Sequence, residues 1–335
     1  MREYRFDVAR VVCMTYIVAF MHLYAYIYPE GRNTYFIPAC TALTDSCLGL
    51  FTFISGCLLG RKYLFGKQGN TDVWTFYRKR VLRIFPLFVI ASVVLWLIGF
   101  NDLKSTVYGL LCISPVVSPA PRTLWYIPVI LWCYLVTPLI SRGGMKWRMC
   151  SSLCLFAILF VARLLFTSID NRLVFNMFFY LAGVYLSVCN DWKTTPSYRR
   201  AFKVLVILLF VLLIDIGLHL SYMYYTPVVM GIGAVGVFAI LFVCEGISQL
   251  LFDGQNDQKG RVRAFACQIV SIVSYASMAC YMFHRFFYWA AEKIWNPSDT
   301  SVKWLFMVCV VFPVIVTFSY MIQKLYDKSV SGFSK

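Results

Sequence analysis

Charged side chains are scarce in this sequence, 14% of 335 residues against roughly 25% in an ordinary soluble domain. Sixty per cent of the residues are hydrophobic. A water-soluble fold of that make-up has too little polar surface to offer solvent, whereas a bilayer accepts the apolar outer face of every helix. Acidic residues are scarcer still, 15 against 31 Lys and Arg, for a net charge of +16. That excess does not point to nucleic acid, because no basic domain with interleaved aromatics gathers it. The basic residues sit in short blocks between apolar runs, as the positive-inside rule and anionic membrane lipids dictate. No soluble domain, low-complexity segment or clear internal repeat is present, so function belongs within the membrane or at its faces. No spacing of Cys and His resembles a zinc site, and no metal is expected. Most of the 13 cysteines fall inside apolar runs, Cys13, Cys57, Cys133 and Cys280 among them, and read as small buried residues rather than a disulfide framework.

What is present in abundance is apolar sequence of membrane-crossing length. Against a requirement of about 20 residues per span, ten runs qualify: Val8 to Tyr28, Phe36 to Gly60, Ile84 to Phe100, Leu124 to Ile140, Cys150 to Thr167, Leu173 to Cys189, Val204 to Leu220, Pro227 to Leu251, Ile269 to Ala291 and Trp304 to Ile322. The first is too long for a signal peptide and has no small-residue cleavage site after it, so it reads as a crossing. The sequence therefore predicts an all-α, polytopic integral membrane protein. It forms a single domain over residues 1–335, with about ten transmembrane helices.

Charge sets the expected orientation. With both termini in the cytoplasm, the outer side keeps only Arg32, Lys104, Arg122, Arg172, Lys293 and Lys303, and nearly all other basic residues fall inside. An eleventh run, Leu103 to Val117, is short and carries Lys104 and Pro115. Counting it as a crossing would turn the remaining basic loops outward, so it is expected to lie on or dip into the outer face.

Charge within a span costs about 2.5 to 3.5 kcal/mol near the bilayer centre, so ionisable residues there are functional candidates. They are His22, Asp45, Arg163, Asp215, His219, His284 and Arg285, all expected in the outer half of their spans. All three histidines of the chain belong to this set, and histidine is the side chain suited to acid and base work near neutral pH. The plainer alternative for each is a hydrogen bond across a helix interface. Asp215 and His219, four residues apart on one helix face, can neutralise each other.

A second cluster lies at the expected inner face. In FYRKRVLRIFP, Arg80 and Arg83 share one face of a helix entering the membrane, and two guanidinium forks suit a phosphorylated ligand from the cytoplasm as well as they suit membrane anchoring. In FTFISGCLLG, Ser55, Gly56 and Gly60 permit close approach of a ligand or of another helix.

Five stretches in order now resemble the acyltransferase 3 family: FDVARVVCMTYIVAFMH, FTFISGCLLG, RKRVLRIFPLF, TLWYIPVILWCYLVTPLI and SYASMACYMFH. They span Phe6 to His284. The resemblance implies a membrane-bound O-acyltransferase, usually an O-acetyltransferase, that moves an acyl group from acyl-coenzyme A to a hydroxyl of a carbohydrate such as a cell-surface polysaccharide or lipid-linked sugar. It implies a bacterial inner membrane, acyl-CoA as co-substrate and no permanently bound cofactor. The family's first-helix arginine and histidine correspond to Arg10 and His22, and its R-x-x-R pair to Arg80 and Arg83. One departure is local. The family usually places ten residues between that arginine and histidine, and here there are eleven, which turns one from the other by about 100° unless a π-bulge absorbs the extra residue.

On this resemblance His22 is the general base. Arg80, Arg83, Arg10, Ser55 and Gly56 meet the donor, whose extended arm would cover the roughly 18 Å from Arg10 to His22. Trp125 and Tyr126, with Arg122, form a lip for the acceptor. Asp45 or Asp215 would orient an imidazole, and His284 is a further candidate at the site. The rival expectation is a transporter or flippase for a polysaccharide or lipid-linked sugar. It calls for broken helices in matched positions of two halves, and GIGAVG at Gly231 to Gly236 has no clear counterpart. A scaffold or sensor would leave the histidines and Arg80/Arg83 without a joint purpose.

Overall fold

In lipid a backbone has to satisfy its own N–H and C=O groups, and these apolar runs do so as helices. The computed structural model describes residues 3–28, 36–64, 72–187, 226–252 and 260–331, and every regular element among them is helical. In chain order they are α1 (Tyr4–Tyr16), α2 (Leu23–Ile27), α3 (Phe36–Leu59), α4 (Val73–Leu97), α5 (Leu103–Leu110), α6 (Tyr126–Ser141), α7 (Met145–Leu165), α8 (Asn171–Leu186), α9 (Thr226–Phe252), α10 (Gly260–Ile294), α11 (Thr300–Phe306) and α12 (Phe312–Ser331). A π turn at Ile17–His22 joins α1 to α2. Others close α3 at Gly60–Leu64 and join α11 to α12 at Met307–Val311.

Six stretches among the described residues are long and apolar enough to cross a membrane: Ala42–Tyr63, Val73–Leu97, Met145–Leu165, Gly231–Phe252, Arg263–Ile294 and Thr300–Val330. The first expected crossing, Val8 to Tyr28, belongs to a stretch that is helical from Tyr4 to Ile27, with Arg10 inside the expected run and Arg5 and Asp7 in the turn before it. Helices α6 and α8 have 16 residues each, about 24 Å of rise. The expected seventh crossing, Val204 to Leu220 with Asp215 and His219, lies outside the described residues. The run from Leu103 forms only the eight-residue α5, about 12 Å long and too short to cross.

Carboxylates, few as they are, are spent on helix starts. Asp72, Asp102, Asp170 and Asp299 accept hydrogen bonds from backbone N–H groups at the first turns of α4, α5, α8 and α11. The Ser105 backbone N–H holds the Asp102 carboxyl below its ordinary range, with the hydroxyl of Ser105 and nearby Arg122 and Lys104 adding to the effect.

The chain divides into two compact units. The described residues of the first are 3–28, 36–47, 232–252 and 260–331. There α10 packs along α12 and α1, burying Phe6, Met14, Ile17, Leu23 and Tyr288. The described residues of the second are 48–64, 72–187 and 226–231, and α6 packs there against α4, α7 and α8. Its fully buried side chains include Phe53, Ile54, Phe88, Phe179 and Tyr180. Helix α7 exposes Leu153, Ile158, Val161, Leu164 and Leu165, a face with no use for water and suited to lipid.

Candidate active site

The first unit brings together two of the three histidines. His22 ends the π turn after α1, and His284 lies within α10. Nδ1 of His22 is 2.7 Å from Nε2 of His284, and the rings are 5° from parallel with centroids 4.8 Å apart. The other ring nitrogen of His284, Nδ1, lies 2.8 Å from the Tyr281 carbonyl and 3.2 Å from that of Cys280. Both carbonyls come from the preceding turn of the same helix, where a side chain at position i reaches the oxygens of i−3 and i−4. His284 is fully buried, whereas His22 is half-buried.

The π turn accounts for how His22 arrives there. It stands between Arg10 and His22 and takes up the extra residue in that interval. Side chains of α10 fasten it: Tyr288 Oη donates to the Val18 carbonyl at 2.7 Å and Arg285 Nη1 to the His22 carbonyl at 3.2 Å. Tyr26 Oη donates to the Arg285 carbonyl, and the Arg285 guanidinium lies 5.3 Å from the Tyr26 ring centroid. At the other end of α1, Asp7 Oδ1 accepts from Ser274 Oγ of α10 at 2.7 Å and pairs with Arg10 Nη1 at 3.3 Å. Asp7, Arg10's partner, and His22 therefore both meet α10. Asp45 is half-buried on α3, and His22 bonds to His284 rather than to it.

The second unit holds the other expected residues. Arg80 is half-buried with its guanidinium 5.8 to 6.0 Å from the ring centroids of Tyr63, Phe76 and Tyr134, each contact worth about 0.5 to 2 kcal/mol. Its Nε is buried with no hydrogen-bond partner among the described residues. Arg83, three residues on, is exposed. Ser55 belongs to the neighbourhood of Arg80, since its Oγ lies 3.5 Å from the hydroxyl of Tyr134. Gly56 faces α8: a Cβ there would fall inside the Tyr180 carbonyl oxygen and 3.0 Å from the Val184 nitrogen, while Gly183 meets the Phe53 carbonyl in the same way. Of the two roles open to Gly56, this geometry supports close packing of α3 on α8.

The expected acceptor lip takes a different form. Tyr126 is 4% exposed, and its hydroxyl lies 3.0 Å from Thr52 Oγ1, which donates to Asn176 Oδ1 at 2.7 Å. That hydroxyl is committed to the core. Trp125 is half-buried and carries the Arg172 guanidinium 4.1 Å from its ring centroid, with Arg172 held in turn by Asp170 at 2.5 Å. Arg122 is exposed. Sequence reading did not single out Tyr63, Tyr134 or Arg172. Aromatic residues are common enough here, 18% of the chain, that only contact distinguishes these.

Helices of crossing length, lipid-suited faces and ionisable side chains gathered inside define, over the described residues, an all-helical integral membrane protein with a hydrogen-bonded histidine pair. The chain belongs to the acyltransferase 3 family, whose model, described as an acyltransferase domain, matches residues 3–324. Membership implies acyl transfer. No curated protein and no solved structure matches the chain.

Proposed function

We propose that this protein transfers an acyl group, acetyl first among the candidates, from acyl-coenzyme A on the cytoplasmic side to a hydroxyl of a carbohydrate. The acceptor is a cell-surface polysaccharide or lipid-linked sugar. On this reading the protein crosses a bacterial inner membrane ten times with both termini in the cytoplasm, and His22 is the general base. The observation that carries the reading is the state of the His22 ring: Nδ1 is held by His284, while Nε2 meets no hydrogen-bond partner among the described residues. A base needs that combination, one nitrogen fixed and the other open.

In the reaction, Nε2 of His22 takes the proton of the acceptor hydroxyl as its oxygen attacks the thioester carbonyl. The new C–O bond forms, the C–S bond breaks, and the proton passes to the departing thiolate to give free coenzyme A. Arg80 is the principal phosphate ligand, because its Nε has no acceptor among the described residues. Arg83 and Arg10 add positive charge, Ser55 lines the donor side, and Trp125 with Arg172 receives the sugar.

The test is label transfer from radiolabelled acetyl-CoA to envelope carbohydrate in membranes containing the protein. His22→Ala should lower incorporation by about 10² to 10⁴-fold, the usual worth of a general base. Normal incorporation in that variant would remove His22 from the chemistry. Glycan export lost with acetylation intact would support a transporter instead.

A further inference from the structure

We infer that His284 is a positioning residue that selects which nitrogen of His22 does the chemistry. The inference rests on His22 being the base, but its structural half can be tested without any activity. Carbonyl oxygens only accept hydrogen bonds, so His284 Nδ1, facing those of Tyr281 and Cys280, carries its ring hydrogen. With both rings uncharged, His284 Nε2 is then an acceptor. The hydrogen between the two rings belongs to His22 Nδ1. One consequence follows for the second nitrogen of His22: Nε2 holds the lone pair.

Sequence spacing alone pairs a first-helix histidine with a carboxylate such as Asp45 only by supposition, and here a neutral imidazole does the orienting. The carbonyl-to-imidazole-to-imidazole order fixes a tautomer without placing a negative charge in an apolar interior, where such a charge is costly. When Nε2 gains the acceptor's proton, the imidazolium keeps its Nδ1–H on His284. Arg285, bonded to the His22 carbonyl and 9% exposed, is a second cation nearby. His284 touches neither reacting atom, and it acts by holding His22.

The chain has three histidines, so 15N NMR of [15N]His-labelled full-length protein in lipid nanodiscs can assign each tautomer, with His22→Asn identifying the His22 signals. We expect His22 and His284 both to carry hydrogen on Nδ1, and His284→Leu to shift His22 toward the Nε2–H form. His284→Gln places an amide oxygen where Nε2 was and should keep the His22 tautomer. In acetyl-CoA assays, His284→Leu should lower turnover about 10² to 10³-fold with the KM for acetyl-CoA within about twofold, and His284→Gln should stay within about tenfold of the wild type. Hydrogen on Nε2 of His22 in the unaltered protein would overturn the assignment, whatever the variants do. So would equal turnover in His284→Leu and the wild type. An active His22→Ala with the expected tautomers would instead sink the choice of base and leave the geometry standing.

Discussion

His22 and His284 stand 262 positions apart in sequence, and a 2.7 Å hydrogen bond joins them as neighbouring parallel rings. The bond couples the π turn after α1 to the middle of α10, so it bears on stability as well as chemistry. Removing the His22 ring strands a fully buried acceptor on His284, at about 1 to 3 kcal/mol.

That coupling separates two variants at one position. His22→Ala should lower the thermal midpoint of the detergent-solubilised protein along with activity. His22→Asn places an amide N–H close to where Nδ1 was, so it should hold a midpoint near that of the wild type yet transfer no more acetyl than the alanine variant. An asparagine variant with substantial activity would mean that His22 serves only as a donor to His284.

The two arginines of the R-x-x-R pair should not be equal. Arg80 sits among Tyr63, Phe76 and Tyr134 with a buried Nε that has no partner among the described residues, while Arg83 is exposed. Arg80→Lys keeps the charge but loses the fork and the flat stacking surface. It should raise the KM for acetyl-CoA about tenfold, and Arg83→Lys less than threefold, as read from initial rates over a range of donor concentrations. Equal changes would place the donor on the pair as a whole.

Gly56 tests whether a small residue serves packing or ligand. Its missing side chain lets the backbones of α3 and α8 meet at Tyr180 and Val184. Gly56→Ala should cost about 2 kcal/mol by overpacking, seen as a lower thermal midpoint in protein free of acyl-CoA. A variant with an unchanged midpoint and a raised donor KM would return Gly56 to the donor side.

Ionisable residues in apolar runs were legible in the sequence because lipid makes them conspicuous, and His22, His284 and Arg285 all come from that signal. Their partnership was not legible. Which helices touch is decided by packing across hundreds of positions, so Asp45 looked as good a companion for His22 as His284. Tyr126 reads as a ring for sugar because polar-tipped aromatics favour wet edges. It was Thr52 and Asn176, unremarkable within their own runs, that drew its hydroxyl inward. The crossings show the same division. Length and apolarity sufficed for α4 and α7, whereas α6 and α8 match their expected runs to within a few residues but, at 16 residues, stay outside the six stretches long enough to cross.

Tyr126→Phe should therefore act on stability and leave recognition alone. Losing one buried hydroxyl costs about 1 kcal/mol, with acetylation at saturating donor unchanged. Trp125→Ala removes the ring on which Arg172 rests, and should reduce incorporation into carbohydrate while donor KM stays constant. If Tyr126→Phe reduces incorporation and Trp125→Ala does not, the acceptor meets the tyrosine.

The π turn offers the sharpest test of the first helix. It holds one residue more than an α-helical path between Arg10 and His22 requires. Deleting Ala19 from within it should let that stretch close into a regular α-helix with His22 still turned toward His284, because the deletion removes the residue that the bulge was absorbing. Inserting an alanine after Val12 instead lengthens an α-helical stretch by one residue and swings everything before it by about 100° relative to His22, parting Asp7 from Ser274. Acetyl transfer and thermal midpoint should both survive the deletion better than the insertion. The reverse order would mean that the π turn is needed for its own sake, through the Val18 and His22 carbonyls that it presents to Tyr288 and Arg285.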